Sequence, residues 1–276
     1  MAQGGCVAAP GAADPLCARI IARAGFDALY LGGNALGLAQ AKGQPFVTLT
    51  DTVEATARIS RTIDAALIVD AGAGFGGLSH LAGAVREIEA AGASALHIDD
   101  QPYPKSPDYH RGRGALVSIE ASAARIRAAK SSLRDPETLL IARTDALRVA
   151  KSMDEVIARG HAVRDAGADA LLVLDLSPAD APRVRAALPG VSLIWIGGVN
   201  PPIPTLEELN AAGFGAALYP FNTAAAVSAA IADLWGAFKA TGRVDQSEAL
   251  LARMRKETLE IVDMASAWDI EDGANG

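Results

Sequence analysis

Short apolar runs, each broken by a polar or glycine-rich stretch, recur along the chain and set its period. Four share one lead: "AGFDALYLGG" from Ala24, "AGASALHIDD" from Ala91, "AGADALLVLD" from Ala166 and "AAGFGAALYP" from Ala211. In each, an Ala-rich amphipathic segment ends at a glycine, which suits a left-handed helix C-cap, and a short strand and a loop follow. Three further strands lack the lead: "ALIVDAG" at 66–72, "LLIARTD" at 139–145 and "VSLIWIGG" at 191–198. "CVAAPGA" at 6–12 supplies an eighth. The runs are continuous rather than alternating, as expected of parallel strands covered by helices.

Helical patterns fill the intervals. They are "SHLAGAVREIEAAG" (79–92), "SIEASAARIRAAKSSL" (118–133), "SMDEVIARGHAVRDAG" (152–167) and the shorter "TLEELNAAG" (205–213). Eight strands alternating with helices over ~220 residues predict a (β/α)8 barrel. The rival, an open doubly wound sheet for a dinucleotide, lacks its G-x-G-x-x-G after the first strand. Two helices remain at the end, "TAAAVSAAIADLWGAFKATG" and "SEALLARMRKETLEIVDMASAW". The expected organisation is one barrel domain over 1–276 with a helical extension from about 223 to 270. The extension carries Leu250, Leu251, Met254, Leu259, Ile261, Val262 and Met264, more apolar surface than a monomer leaves exposed, so a homo-oligomer is expected.

Composition narrows the function classes. The chain has 276 residues, is 50% hydrophobic and carries a net charge of −7, so no basic face is offered to nucleic acid. The N-terminal "MAQGGCVAAPGAADP" has neither basic region nor long apolar run, and no stretch reaches the ~20 residues of a membrane span. Cys6 and Cys17 are its two cysteines, which points to a reducing compartment without a disulfide framework. The expectation is a cytoplasmic protein.

In a barrel, chemistry gathers where strands end. Asp70 ends the third strand, Asp99 and Asp100 the fourth, Arg143 the fifth and Asp175 the sixth, while Gly32, Gly33 and Asn34 follow the second. Two acids on adjacent strand ends suit a hard divalent cation, usually Mg²⁺. An arginine beside them clamps a carboxylate, and the backbone amides of "GGN" suit a developing oxyanion. Together these fit enolate chemistry on a small carboxylic or oxo acid. Each residue also has a plainer role. Asp70 caps a turn, Asp100 bonds its own loop, Arg143 pairs with Asp145 or Asp99, and "GAGFGG" is a flexible turn. His97 lies within a strand and suits a satisfied core position; His80 and His161 fall in helical segments.

The strings "APGAADPLCARIIARAGFDALYLGG", "VDAGAGFG", "EIEAAGASALHIDDQPYPK", "IARTDA" and "TLEELNAAGFGAALYP", in that order, resemble the isocitrate lyase/phosphoenolpyruvate mutase superfamily over roughly residues 6 to 240. The resemblance implies a (β/α)8 barrel whose C-terminal helix is exchanged between neighbours, usually in a dimer of dimers. It implies Mg²⁺, or Mn²⁺ in its place, and substrates that are 2-oxo acids or substituted malates handled through an enolate. Asp70 matches the first acid of the family's D-A-D-[ST]-G-[FY]-G motif, and Asp99 the glutamate of I-E-D-Q, as metal ligands. Arg143 matches the arginine of A-R-T-D that holds a carboxylate or phosphonate, and Gly32 and Gly33 the Ser-Gly whose amides cradle the oxo acid.

The chain departs from that pattern at several points. Gly72 stands at the second acid of the metal motif, Gly32 at the serine, Phe46 at the acid of a P-D-x-G segment, and "IWIG" at an N-M-T-E region. The lyase loop K-[KR]-C-G-H, whose cysteine is an acid/base, is "KSPDYH" here, one residue longer. The loop from Pro102 to Gly114 is expected to be a mobile lid over the substrate, with Lys105 and His110 acting on it and Tyr109 the next proton carrier after His110. The expected activity is a Mg²⁺-dependent carbon–carbon lyase. An oxaloacetate decarboxylase, a P–C bond enzyme and a catalytically degenerate metabolite-binding or scaffold protein are the alternatives.

Overall fold

A computed structural model describes residues 5–274, so the first four residues of the N-terminal stretch and the last two of the expected 1–276 domain lie outside the described residues. Among the described residues the strands are β1 (Val7–Pro10), β2 (Ala28–Leu31), β3 (Ala66–Asp70), β4 (Ala95–Asp99), β5 (Leu139–Thr144), β6 (Ala170–Val173), β7 (Ser192–Ile196) and β8 (Phe214–Tyr219). The helices are α1 (Pro15–Arg23), α2 (Gly33–Ala39), α3 (Leu49–Ser60), α4 (Leu78–Ala90), α5 (Ile119–Lys130), α6 (Ala146–Val149), α7 (Met153–Asp165), α8 (Ala181–Ala187), α9 (Leu206–Ala212), α10 (Asn222–Thr241), α11 (Glu248–Ile261) and α12 (Met264–Ala274). The chain divides into two compact units, residues 1–224 and 225–276.

The first unit is the expected (β/α)8 barrel. All strands pair in parallel in the order β1-β8-β7-β6-β5-β4-β3-β2. The ring closes between β1 and β2, where Gly11 bridges Tyr30 and the Ala12 amide donates to the Tyr30 carbonyl at 2.9 Å. The four repeated leads end as expected: Gly25, Gly92, Gly167 and Gly213 all take φ between 88° and 103°, which glycine adopts at no steric cost. Helix starts are fixed by side chains. Thr48 and Thr205 form reciprocal capping boxes with Asp51 and Glu208, and Ser118 and Ser152 each accept an amide of the first turn.

Strand periodicity then sorts residues into two cores. Leu29, Leu67, Leu96, Leu140, Leu171 and Leu193 point outward and pack under the helices. Ala9, Tyr30, Ile68, Ala95, Ile141, Leu172 and Ile194 point inward and fill the barrel. Because successive side chains alternate, the inward set continues through Asp70, Asp99 and Arg143 at the C-terminal rim. The outward set continues through Asp100 and Thr144.

The second unit differs from expectation in one respect. The segment read as a single last helix is two, α11 and α12, separated by Asp263 at φ 53°. Val262, Trp268 and Ile270 there are exposed.

Candidate active site

The inward rim gathers Asp70, Asp99 and Arg143 at one mouth. Register places Arg143 beside Asp99, and Asp70 beside His97, two residues before Asp99 on the same face of β4. Asp70 is 7% and Asp99 1% exposed. Both Asp70 oxygens accept backbone amides, Oδ1 from Gly72 at 2.8 Å and Oδ2 from Gly33 at 3.0 Å. Burial opposes the Asp70 charge, but His97, Lys105, Arg143 and the Gly33 amide together outweigh it and hold its pKa well below the usual carboxylate range. The expected oxyanion amide of Gly33 is thus already given to a carboxylate. Gly32 caps α2 and Asn34, half-buried, sits in its first turn.

The Pro102–Gly114 loop folds over this mouth and contains a short 3-10 turn, Pro107–Arg111. Of its three candidate residues, two turn inward. The Lys105 ammonium donates to Asp99 Oδ2 at 2.5 Å and is 8% exposed. The Tyr109 hydroxyl donates to Asp145 Oδ2 at 2.6 Å. Burial and the Asp145 carboxylate push the Tyr109 pKa well above its ordinary value, so the phenol keeps its proton. His110 does not join them: it is exposed, with its ring edge-on to Tyr109 at 5.6 Å.

Arg143 forms the ion pair that the sequence left open, and its partner is Asp145, at 2.9 Å from Nε to Oδ1. Gln101 Nε2 also donates to Asp145, at 2.7 Å. Burial works against the Asp145 charge, but Arg143 and the Tyr109 hydroxyl more than offset it and keep its pKa low. Arg148 clamps Asp175 with bonds of 2.6 and 2.7 Å, and its Nη1 lies 3.3 Å from the Tyr109 hydroxyl. Gln101 and Arg148 were not singled out from the sequence. The signal for Arg148 was its place one helical turn after Asp145 at a strand end.

Outside the wall, the Asp100 carboxylate bonds residues at the end of β5 and in α7 rather than its own loop, because its outward register turns it to the helices. It accepts from Thr144 Oγ1 at 2.6 Å, from the Asp145 amide at 3.0 Å and from Arg159 Nη1 of α7 at 3.1 Å. Inside the barrel, His97 is buried under the mouth. Its Nε2 meets the Tyr30 hydroxyl at 2.9 Å and lies 3.7 Å from Asp70 Oδ1. Burial lowers the His97 pKa, so the ring is neutral near neutral pH. Among the described residues, two buried side-chain polar atoms have no protein partner, His97 Nδ1 and Asp99 Oδ1.

The departures from the resembled pattern have physical counterparts. A Cβ at Gly32 would stand 2.8 Å from Tyr30 Cε1, so the tyrosine ring occupies the space of the missing serine. A Cβ at Gly72, which has φ 53°, would stand 3.3 Å from Lys105 Cε and 3.5 Å from its Nζ. The missing acid is therefore replaced in space by an ammonium. Phe46 is 63% exposed and does not enter the mouth. Trp195 of "IWIG" points outward, 5.5 Å edge-on from Tyr219. The cavity left beside Asp70 has a volume of about 30 Å³, with Pro45, Val47 and Phe75 forming its apolar wall and Lys105 part of its lining.

As a site for Mg²⁺, this donor set is poor. Mg²⁺ demands octahedral oxygen ligation at about 2.0–2.1 Å. Each Asp70 oxygen already accepts an amide and Asp99 Oδ2 already holds Lys105, so of these two carboxylates Asp99 Oδ1 alone has no protein partner. An ammonium stands where a further acid would complete the shell.

Comparison with known proteins adds the following. A family profile described as phosphoenolpyruvate phosphomutase matches residues 1–239. The chain is 36% identical over 240 residues to 2,3-dimethylmalate lyase of Eubacterium barkeri, covering 84% of this chain and 81% of that protein. Among solved structures, oxaloacetate acetylhydrolase in complex with the inhibitor 3,3-difluorooxalacetate superposes with a TM-score of 0.89 at 29% identity, covering 99% of this chain and 93% of that one. Phosphonopyruvate hydrolase in complex with oxalate and Mg++ superposes with a TM-score of 0.86 at 27% identity, covering 97% and 93%.

Proposed function

The chain belongs to the phosphoenolpyruvate phosphomutase family, within the isocitrate lyase/phosphoenolpyruvate mutase superfamily, and we propose that it is a carbon–carbon lyase splitting an alkyl-substituted malate into a 2-oxo acid and a second carboxylate. One observation carries the reading: two cations, Lys105 and Arg143, and a protonated phenol, Tyr109, converge over buried carboxylates beside the apolar wall of Pro45, Val47 and Phe75. The cations suit a dicarboxylate, and the wall suits alkyl substituents. The similarity to 2,3-dimethylmalate lyase supports the same substrate class.

In the proposed reaction the substrate's C2 hydroxyl donates to Asp99 Oδ1, the buried acceptor that lacks a partner. As that proton leaves, the C2–O bond becomes a carbonyl and the C2–C3 bond breaks. Its electron pair enters the second fragment as a carboxylate-stabilised enolate. Tyr109 then gives its proton to C3; such an enolate is basic enough to take it from an unactivated phenol. Arg143 holds a substrate carboxylate in place of Asp145. Since the space beside Asp70 is only about 30 Å³, too small for a dicarboxylic acid, the Pro102–Gly114 loop opens to admit substrate and closes to exclude solvent.

A panel of alkylmalates, oxaloacetate and phosphonopyruvate tests this. Release of a 2-oxo acid from an alkylmalate is the expected result. Carbon dioxide from oxaloacetate alone would make the protein a decarboxylase. Phosphate from phosphonopyruvate would make it a P–C bond enzyme. No turnover of any would leave a metabolite-binding protein.

The homo-oligomer stays part of the proposal. Val262, Trp268 and Ile270 in the second unit are exposed and large enough to favour burial against a second copy. Light scattering at micromolar concentration should show more than a monomer.

A further inference from the structure

We infer that the Lys105 ammonium serves this site as a built-in cation in place of a divalent metal. The inference rests on the reading that this mouth is the substrate site. It starts from a spatial substitution. Gly72 lacks the carboxylate that the D-A-D pattern would supply, and Lys105 Nζ lies 3.5 Å from where a Cβ there would stand. The same Nζ donates to Asp99 Oδ2 at 2.5 Å, and its charge also favours the Asp70 carboxylate. One ammonium thus contacts or faces both acids that the resemblance assigns to the metal.

Charge points the same way at Gly72. An acid there would add a negative charge beside Asp70, and the space beside it holds the Lys105 ammonium instead. Adding a divalent ion to the present set would instead place it against Lys105 and Arg143, two cations that are each already buried on a carboxylate.

Geometry limits what remains. The amides of Gly33 and Gly72 fix the Asp70 carboxylate from both oxygens, so it cannot turn to a metal without breaking bonds of 3.0 and 2.8 Å. Asp99 keeps one unclaimed oxygen. An ammonium tolerates such a site because it needs no fixed coordination number and offers three donors, of which Asp99 uses one. The other two are available to a substrate carboxylate or to the oxygen on which charge develops.

Mn²⁺ serves as the probe. Chelator-dialysed wild-type protein titrated with Mn²⁺ should show no stoichiometric binding by electron paramagnetic resonance below millimolar metal. Gly72→Asp combined with Lys105→Ala should bind one equivalent at least tenfold more tightly. Stoichiometric Mn²⁺ on the wild type would overturn the inference, whatever the substrate proves to be. Oxalate, a small dianion, supplies the second arm. It should bind the wild type equally with and without chelator, and at least tenfold more weakly to Lys105→Ala. Binding that appears only once Mn²⁺ is added overturns the built-in cation but leaves the substrate site standing. Failure of oxalate to bind with or without Mn²⁺ counts against the substrate site, and the Mn²⁺ titration still decides the cation. Circular dichroism on both variants checks that each is folded.

Discussion

Asp99 and Asp100 leave the same strand one residue apart and end on opposite sides of the barrel wall. Asp99 faces the mouth, holds a lid lysine and keeps one buried oxygen without a protein partner. Asp100 faces the helices, where Thr144, the Asp145 amide and Arg159 satisfy it, and Arg159 in turn bonds the Val117 carbonyl and Glu155. Both are buried acids with a cation beside them. The difference is satisfaction. The outer network is closed, so its job is to hold β4, β5 and α7 together. The inner one is left open at Asp99 Oδ1, the oxygen that the proposed reaction uses.

If this division is right, inner and outer substitutions should fail differently. The largest effect should come from inside. Tyr109→Phe removes the proposed proton donor and should lower kcat by about 10²–10⁴-fold with KM changed only a few-fold. Its thermal unfolding should stay close to wild type, since only the hydroxyl's hydrogen bonds with Asp145 and Arg148 are lost. A kcat within threefold of wild type would move the proton donor elsewhere. Outside, Arg159→Ala leaves Asp100 buried and unpaired and should cost about 3–5 kcal/mol in urea unfolding. The molecules that stay folded should keep their kcat. A kcat defect without a stability defect would break the comparison.

Acid should separate the two sides further. The folded pKa of Asp70 lies below its unfolded value of about 3.9. Its contribution to stability is therefore fully present above that value and is lost only as the pH falls through the lower folded pKa. Asp100 is the reverse. Burial is the largest influence and raises its pKa, so the ionised form opposes folding, and that cost disappears as pH falls through the raised folded value. From about pH 7 to 5, the difference in unfolding free energy between wild type and Asp70→Asn should stay flat. As the pH falls through the raised folded value of Asp100, the wild type should gain on Asp100→Asn. Parallel curves would mean the two carboxylates titrate alike.

The smallest effect belongs to the lid's outward face. His110→Ala should leave kcat and KM within about a factor of two, as expected of an exposed surface side chain. A drop of a hundredfold would restore His110 as the proton carrier and require the loop to rearrange on binding.

The barrel was readable before any coordinates because its signals are local. A glycine ends each repeated lead and an apolar run follows. Strand ends were readable for the same reason, so Asp70, Asp99 and Arg143 could be named as a group. What escaped depends on contacts across the chain. That Lys105 would fill the space of Gly72 is set by how a 13-residue loop folds back, not by any period in the sequence. The choice between Tyr109 and His110 turned on which of two adjacent ring side chains the 3-10 turn aims inward. Arg159 was not singled out within its helix, because its buried carboxylate partner comes from the outward register of Asp100, far away in the chain. The break between α11 and α12 has no glycine or proline to announce it; Asp263 supplies it with a left-handed backbone.

The closed mouth has a consequence for how tightly this protein can hold anything. Asp99 and Asp145 sit on the very cations that a dicarboxylic substrate would seek. The protein's own carboxylates are, in effect, a tethered competitor at very high local concentration. In the proposed reaction substrate entry exchanges ion pairs rather than creating them, and the affinity expected is discounted by the fraction of time the proposed lid stands open. Release of products is helped by the same exchange, because the cations regain their internal partners as products depart. Such a site favours rapid cycling over retention and would suit a substrate that is abundant.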